Sequence, residues 1–193
     1  MGYAEEFSTV DSILDSGAET LAVDAFALSL IKAERQARKL FTYLVYQSSA
    51  FDKKDVRPLR ETLATNKKVY FEGIVAGFDA LSPVSMKQLV GSQYTRLWPR
   101  FKEFAPHRNK IFHGQITVQG LSRKQLLKNV GDIKVWCADL GAGAAKELGC
   151  DGFVRNSFRK SSSLDLERRL RVQIQSVKQY AEFIRKHMEK KNQ

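Results

Sequence analysis

Two apolar stripes constrain this chain more than any other feature. Val23, Phe26, Leu30, Ala33, Ala37, Leu40 and Leu44 recur in steps of three and four, and so do Leu126, Val130, Ile133, Cys137, Leu140, Ala144 and Leu148. A repeat near 3.6 residues puts each set on one face of a helix. The first stripe predicts a long amphipathic helix over roughly residues 18–48. The second predicts a helix capped by Ser122 and ended by Gly149. A third stripe, Leu166, Leu170, Ile174, Val177, Ala181, Ile184 and Met188, predicts a final helix from about Ser163 to Lys190. Asp165 and Glu167 at its start and Lys190 and Lys191 at its end suit the helix dipole.

Shorter signals fill the middle of the chain. "NKKVYFEGIVAGFDAL", residues 66–81, reads as a helix with Asn66 as its N-cap. Gly73 and Gly77 lie four apart on one face of it. Glycine weakens a helix interior, so close packing against a neighbour is the expected compensation. "SSAFDKKDVRPLR" reads as a connection with a short helical turn. Ser85 caps a short segment, and "SQYTRLWPRFKEF" reads as another helix, with Pro99 near an end or at a kink. Pro106 fits the first turn of a new segment that Gly114 stops. "ITVQGL", residues 116–121, is β-like but isolated. The sequence contains no βαβ alternation, hairpin signature or internal repeat. The expected architecture is all-α, a bundle with long first and last helices and extra short ones, in a single domain over residues 1–193.

Composition narrows the function classes. Hydrophobic residues make up 43% of the 193-residue chain, which supports a packed core. The formal net charge is +11, a balance that favours polyanions, with nucleic acid the commonest. A basic surface without a ligand is the alternative. Arg and Lys are dense from Arg155 to Lys191, opposed only by Asp165, Glu167, Glu182 and Glu189. Cys137 and Cys150 form neither a disulfide framework nor a zinc motif, and Cys137 falls on an apolar stripe as a buried thiol would. The acidic start "MGYAEEFSTVDS" has no signal-peptide pattern, and no apolar run reaches the length of a membrane span. A cytoplasmic protein without membrane attachment is the expectation.

Most catalytic constellations are absent. No phosphate loop, nucleophile elbow, dinucleotide fingerprint or H-E-x-x-H occurs. His107, His113 and His187, without paired cysteines, do not make a metal site. His107 reads as a first-turn surface residue and His187 as solvent-facing; Trp98 and Trp136 read as core or interface residues. Arg108 and His113 remain. A neutral imidazole can take the proton of a ribose 2′-OH or give one to a leaving 5′-oxygen near neutral pH. A guanidinium can hold the scissile phosphate. Asn109, four residues before His113, shares its helical face, whereas Arg108 lies about half a turn away.

"RNKIFH", Arg108 to His113, within an all-α domain of this size, resembles the HEPN superfamily, whose signature is R-[N/D/H]-x-x-x-H. The long first and last helices also resemble its bundle. The resemblance implies a metal-independent endoribonuclease that acts as a toxin or phage-defence effector or in RNA processing. It implies His113 as general acid/base, Arg108 as phosphate-binding group and Asn109 as polar helper, in a site frequently composite across a homodimer. Cleavage by 2′-OH attack would leave a 2′,3′-cyclic phosphate and a 5′-OH, with no cofactor. Some members pair with a nucleotidyltransferase antitoxin that modifies a tyrosine two residues after the histidine. Gln115 stands there in this chain, so that mode of control is excluded, while an antitoxin or defence-system partner of another kind is not. A non-catalytic HEPN-like module that binds RNA or protein, and a helical adaptor without nucleic-acid function, are the alternatives.

A second feature is "DGFVRNSFRK", residues 151–160, where Arg155, Arg159 and Lys160 interleave with Phe153 and Phe158. Such a loop can bind RNA through phosphate and base contacts. Equally, its phenylalanines can pin it to the bundle and leave the charges in solvent. Proximity to the RNKIFH motif would favour the first reading.

Overall fold

A computed structural model describes the backbone of residues 2–112, 121–153, 156–161 and 165–190, and the side chains of these residues except 105–112. All regular elements among them are helical, joined by a single isolated bridge between Val69 and Glu189. In chain order they are α1 (Tyr3–Asp15), α2 (Leu21–Val45), a one-turn 3-10 helix (Lys53–Asp55), α3 (Val56–Ala64), α4 (Phe71–Leu81) and α5 (Met86–Val90). After a second 3-10 turn (Gly91–Gln93) come α6 (Tyr94–Phe112), α7 (Arg123–Leu148), α8 (Asp165–Arg169) and α9 (Val177–His187).

α2 and α7 form the axis of the bundle. Gln36 donates to the Cys137 carbonyl (2.9 Å) and the Tyr43 hydroxyl to that of Leu148 (3.1 Å), so the two helices run in the same direction. Their apolar stripes face each other, and every member of both is buried except Val23, which is partly exposed. Burial of apolar area at about 25 cal/mol per Å² makes this seam the main source of stability. Ser122 caps α7 through a capping box with Gln125, and Gly149 ends it in the left-handed region at φ 74°. Ser85 and Gln88 form the same box at α5.

The sequence expectations fail in four places. α1 precedes the long helix as a separate antiparallel element. It is held by Phe7 and Val10 in the core and by Lys32 (3.5 Å) and Lys134 (2.5 Å) on Glu6 and Asp11. α4 starts at Phe71, with Tyr70 rather than Asn66 at the N-cap. The Asn66 side chain instead accepts from the Lys68 N–H and donates to Glu189.

The final helix is not continuous, so the bundle lacks the expected long last helix. Residues 170–176 leave helical geometry. The Arg171 N–H donates to the Leu81 carbonyl at the end of α4 (3.0 Å), and Ser176 opens α9 by accepting from the Gln179 N–H. Residues 171–176, RVQIQS, alternate β-branched and polar side chains, a local preference against helix. The apolar stripe still reaches the core, because Leu166, Leu170, Ile174, Ile184 and Met188 are all buried.

Conversely, α6 runs unbroken through both Pro99 and Pro106. Each proline removes a helical hydrogen bond and costs about 3 kcal/mol in a helix interior. Burial of Leu97, Phe101 and Phe104 along one side of α6 offsets that cost.

Candidate functional site

The motif depends on α6, and α6 is anchored twice. Its first anchor is aromatic. Tyr94, Trp98 and Phe101 surround the fully buried Trp136 of α7 at ring separations of 5.6, 6.0 and 4.7 Å, and Phe71 of α4 stacks on Phe101 at 5.1 Å. Both tryptophans therefore pack between helices, as the sequence reading expects. The second anchor is ionic. The Asp132 carboxylate, 8% exposed, meets Arg96 at 2.6 Å and Arg100 at 3.0 Å. Arg100 also donates to the Asn129 side chain. The pairs 96–132 and 100–129 run in opposite senses, so α6 is antiparallel to α7.

That direction carries the end of α6 to the end of the bundle where α2 and α7 begin. Phe104 packs edge-on against Phe26 of α2 at 5.5 Å. Arg108 and Asn109 follow in the last turn of α6, and the helix register sets position 108 in line with Phe101 and Phe104. Position 109 falls in line with the exposed Lys102. His113, with Gly114, Gln115 and the β-like run up to residue 120, lies outside the described residues, as do the side chains of Pro106, His107, Arg108 and Asn109. His107 occupies the interior of a continuous helix, not the first turn of a new one. The chain re-enters at Ser122, and the start of α7 adds the exposed Arg123, Lys124 and Lys128 with no carboxylate in its first turn.

The described parts of the loop, residues 151–153 and 156–160, lie against α2 toward the opposite end. Phe153 is buried, with its ring 5.9 Å from that of Tyr3, and its carbonyl accepts from Lys39. Arg159 lies over the Tyr43 ring at 5.9 Å and donates to the Gly149 carbonyl, where α7 ends. Lys160 donates to the Tyr46 and Ser48 carbonyls, both at 2.6 Å, and caps the end of α2; burial pulls its ammonium below the usual lysine range. Arg155 lies outside the described residues. Phe26, beside the motif end, and Tyr43, beside Arg159, are separated by about 25 Å along α2 by helical rise. Within one molecule, Arg159 and Lys160 are not brought to the end of α6. His187, the last residue of α9, is half-buried against Phe183 at 4.6 Å rather than fully in solvent. Burial, and then Lys186, hold its pKa below the ordinary histidine value.

One basic cavity was not anticipated. Arg35, Arg38, Lys39 and Thr42 of α2, Arg60 of α3 and Phe158 of the loop line a groove of about 520 Å³. Arg35, Arg38 and Lys39 lie on the polar side of the α2 stripe, where a sequence shows only a charged flank; the fold sets Arg60 and Phe158 opposite them. No family model matches the chain, and no curated protein or solved structure matches it.

Proposed function

We propose that the protein is a metal-independent endoribonuclease of HEPN type, acting as a toxin or phage-defence effector. The observation that carries this reading is α6. It runs through two prolines into the RNKIF segment and carries the backbone of Arg108 and Asn109 to the end of the bundle where α7 opens on Arg123 and Lys124. A helix anchored by Trp136 and Asp132 suits a site whose groups must be held in place before reaction.

In the reaction, the His113 imidazole takes the proton from the ribose 2′-OH. The 2′-oxygen attacks the adjacent phosphorus, the bond to the 5′-oxygen breaks, and that oxygen is protonated as it leaves. The products are a 2′,3′-cyclic phosphate and a 5′-OH. Arg108 offsets the charge that builds on the phosphate, and Asn109 orients the imidazole or contacts the phosphate. A homodimer would supply a second His113, so that one imidazole acts as base and the other as acid.

The test is cleavage of mixed RNA in EDTA by wild type, Arg108→Ala and His113→Ala. Wild type should cut, His113→Ala should lose about 10²–10⁴-fold in rate, and Arg108→Ala about 10²–10³-fold. Cleavage that survives both substitutions, or that requires a divalent ion for the chemistry, would overturn the assignment. A toxin should arrest growth on expression, and His113→Ala should relieve the arrest.

The basic groove on α2 and α3 favours a second reading, a non-catalytic RNA-binding module. A folded protein that binds RNA in a salt-dependent way but never cuts it would establish that alternative.

A further inference from the structure

The groove between α2, α3 and the 151–160 loop has a charge pattern that the helix-end motif does not explain. Its cations come from two walls. Arg35, Arg38 and Lys39 lie within one turn on α2, and Arg60 projects from α3. Glu34 is the one carboxylate in the lining. Arg38 donates to a neutral acceptor, the Val69 carbonyl at 3.3 Å, which satisfies an N–H but leaves its charge in place. Arg35 is about half exposed and reaches Glu6 only at 3.4 Å. The exposed Arg60 guanidinium lies over the Phe158 ring at 5.5 Å. The crowding is felt by Lys39, whose ammonium is held below its ordinary range first by burial and next by the charge of Arg35.

We propose that this groove binds single-stranded RNA, with neighbouring phosphates on Arg35, Arg38 and Arg60 and a base stacked at the Arg60–Phe158 pair. Positions one helical turn apart have Cβ atoms about 5–6 Å from each other, close to the repeat of a nucleotide strand, so α2 offers consecutive phosphate sites. Thr42, which bonds the Ser157 hydroxyl at 3.0 Å, ties the loop to α2 and holds Phe158 beside them. Bases stack on aromatic rings and on guanidinium planes alike, and a pair in which one supports the other makes a flat platform. That platform favours a strand with unpaired bases, in which every repeat pairs a phosphate with a planar ring, over a lipid surface, which has no ring, or an acidic peptide, which has one only where an aromatic side chain falls. The groove works independently of Arg108 and His113 and goes beyond the proposed cleavage reaction. It would hold RNA in an active enzyme and in a non-catalytic module alike.

The experiment measures fluorescence anisotropy with a labelled 2′-O-methyl oligouridylate, which the proposed chemistry cannot cut. Arg35→Glu combined with Arg60→Glu should weaken binding by about tenfold or more. The milder Arg60→Gln should lower the slope of log K against log salt by about one. Phe158→Ala should weaken binding several-fold with the salt slope unchanged. Because the oligonucleotide cannot be cut, the readout separates this proposal from the catalytic one, and Lys87→Gln, an exposed cation on α5 outside the groove, should bind as wild type does. Unchanged affinity in a double variant with wild-type helicity and melting temperature would overturn the proposal. So would binding of anionic vesicles or a phosphopeptide as tight as that of the oligonucleotide.

Discussion

Gly73 and Gly77 show how single residues set the packing of α4 against the end of α9. A Cβ built at Gly73 would run into the Met188 main-chain carbonyl, and one at Gly77 would meet the Met188 side chain at 2.5 Å. The first obstacle is backbone, whereas the second is a flexible thioether that can move. Gly73→Ala should therefore destabilise the fold by about 1–3 kcal/mol, read as a lower urea midpoint, and Gly77→Ala by less. Asp79 makes a second test. Burial raises its carboxyl above the ordinary range, against the opposing hydrogen bond from the Met86 N–H and the charge of Arg171. The folded state then holds this proton more tightly than the unfolded chain does. The contribution to stability is present at low pH and is withdrawn as pH rises through the raised value. Asp79→Asn cannot ionise, so its stability relative to wild type should improve from about pH 4 to pH 7, measured by denaturant melts across that range.

At the scale of elements, α6 matters most, because its direction decides where the motif lies. Asp132 is its ionic pin on α7. Asp132→Ala would leave Arg100 partly buried without its carboxylate and should cost about 2–3 kcal/mol, discounted from a fully buried pair because Arg96 is half exposed. On the proposed function, the same variant should slow RNA cleavage more than it changes RNA affinity, since it loosens the helix end and leaves the groove on α2 and α3 intact. Rate and anisotropy measurements on one preparation would separate the two. α9 depends on a smaller device. Ser176→Ala removes its N-cap and should cost about 1 kcal/mol, visible as a lower thermal midpoint.

At the scale of the whole molecule, cations gather at both candidate surfaces and beyond them. Arg123, Lys124 and Lys128 open α7 at the end that α6 reaches, Arg38 and Arg60 line the groove, and Lys67, Lys68 and Arg185 line another hollow. RNA affinity should fall steeply with added salt, because every neutralised phosphate releases condensed counterions. A titration at several salt concentrations checks this, and a slope near zero would deny the protein a polyanion ligand. The described residues include no helix long and apolar enough to cross a membrane.

What the sequence determined by itself was periodic or local. The stripes of α2 and α7 were legible because a 3.6-residue repeat is written directly into the chain. The caps at Ser85 and Ser122 were legible because a cap is a local signal, and the structure completes each as a box with the glutamine three residues on. The close approach at Gly73 was inferable because glycine inside a helix needs a reason. The RNKIFH motif was legible as a string and as part of a helical segment, but the continuity of that segment with the helix before it was not, since Pro99 and Pro106 argue locally for breaks. Tertiary contacts with Trp136, Phe26 and Asp132 hold α6 on both sides of Pro99 and up to the turn before Pro106. The break before α9 went the other way, because a backbone donor at Arg171 found its acceptor at Leu81, far off in sequence. The loop of Arg159 and Lys160 was placed by carbonyls at the ends of α7 and α2, which composition does not reveal. The groove was the least legible feature. Arg38 and Arg60 are ordinary surface arginines until folding sets their helices side by side, and electrostatic fields add in space rather than along the chain.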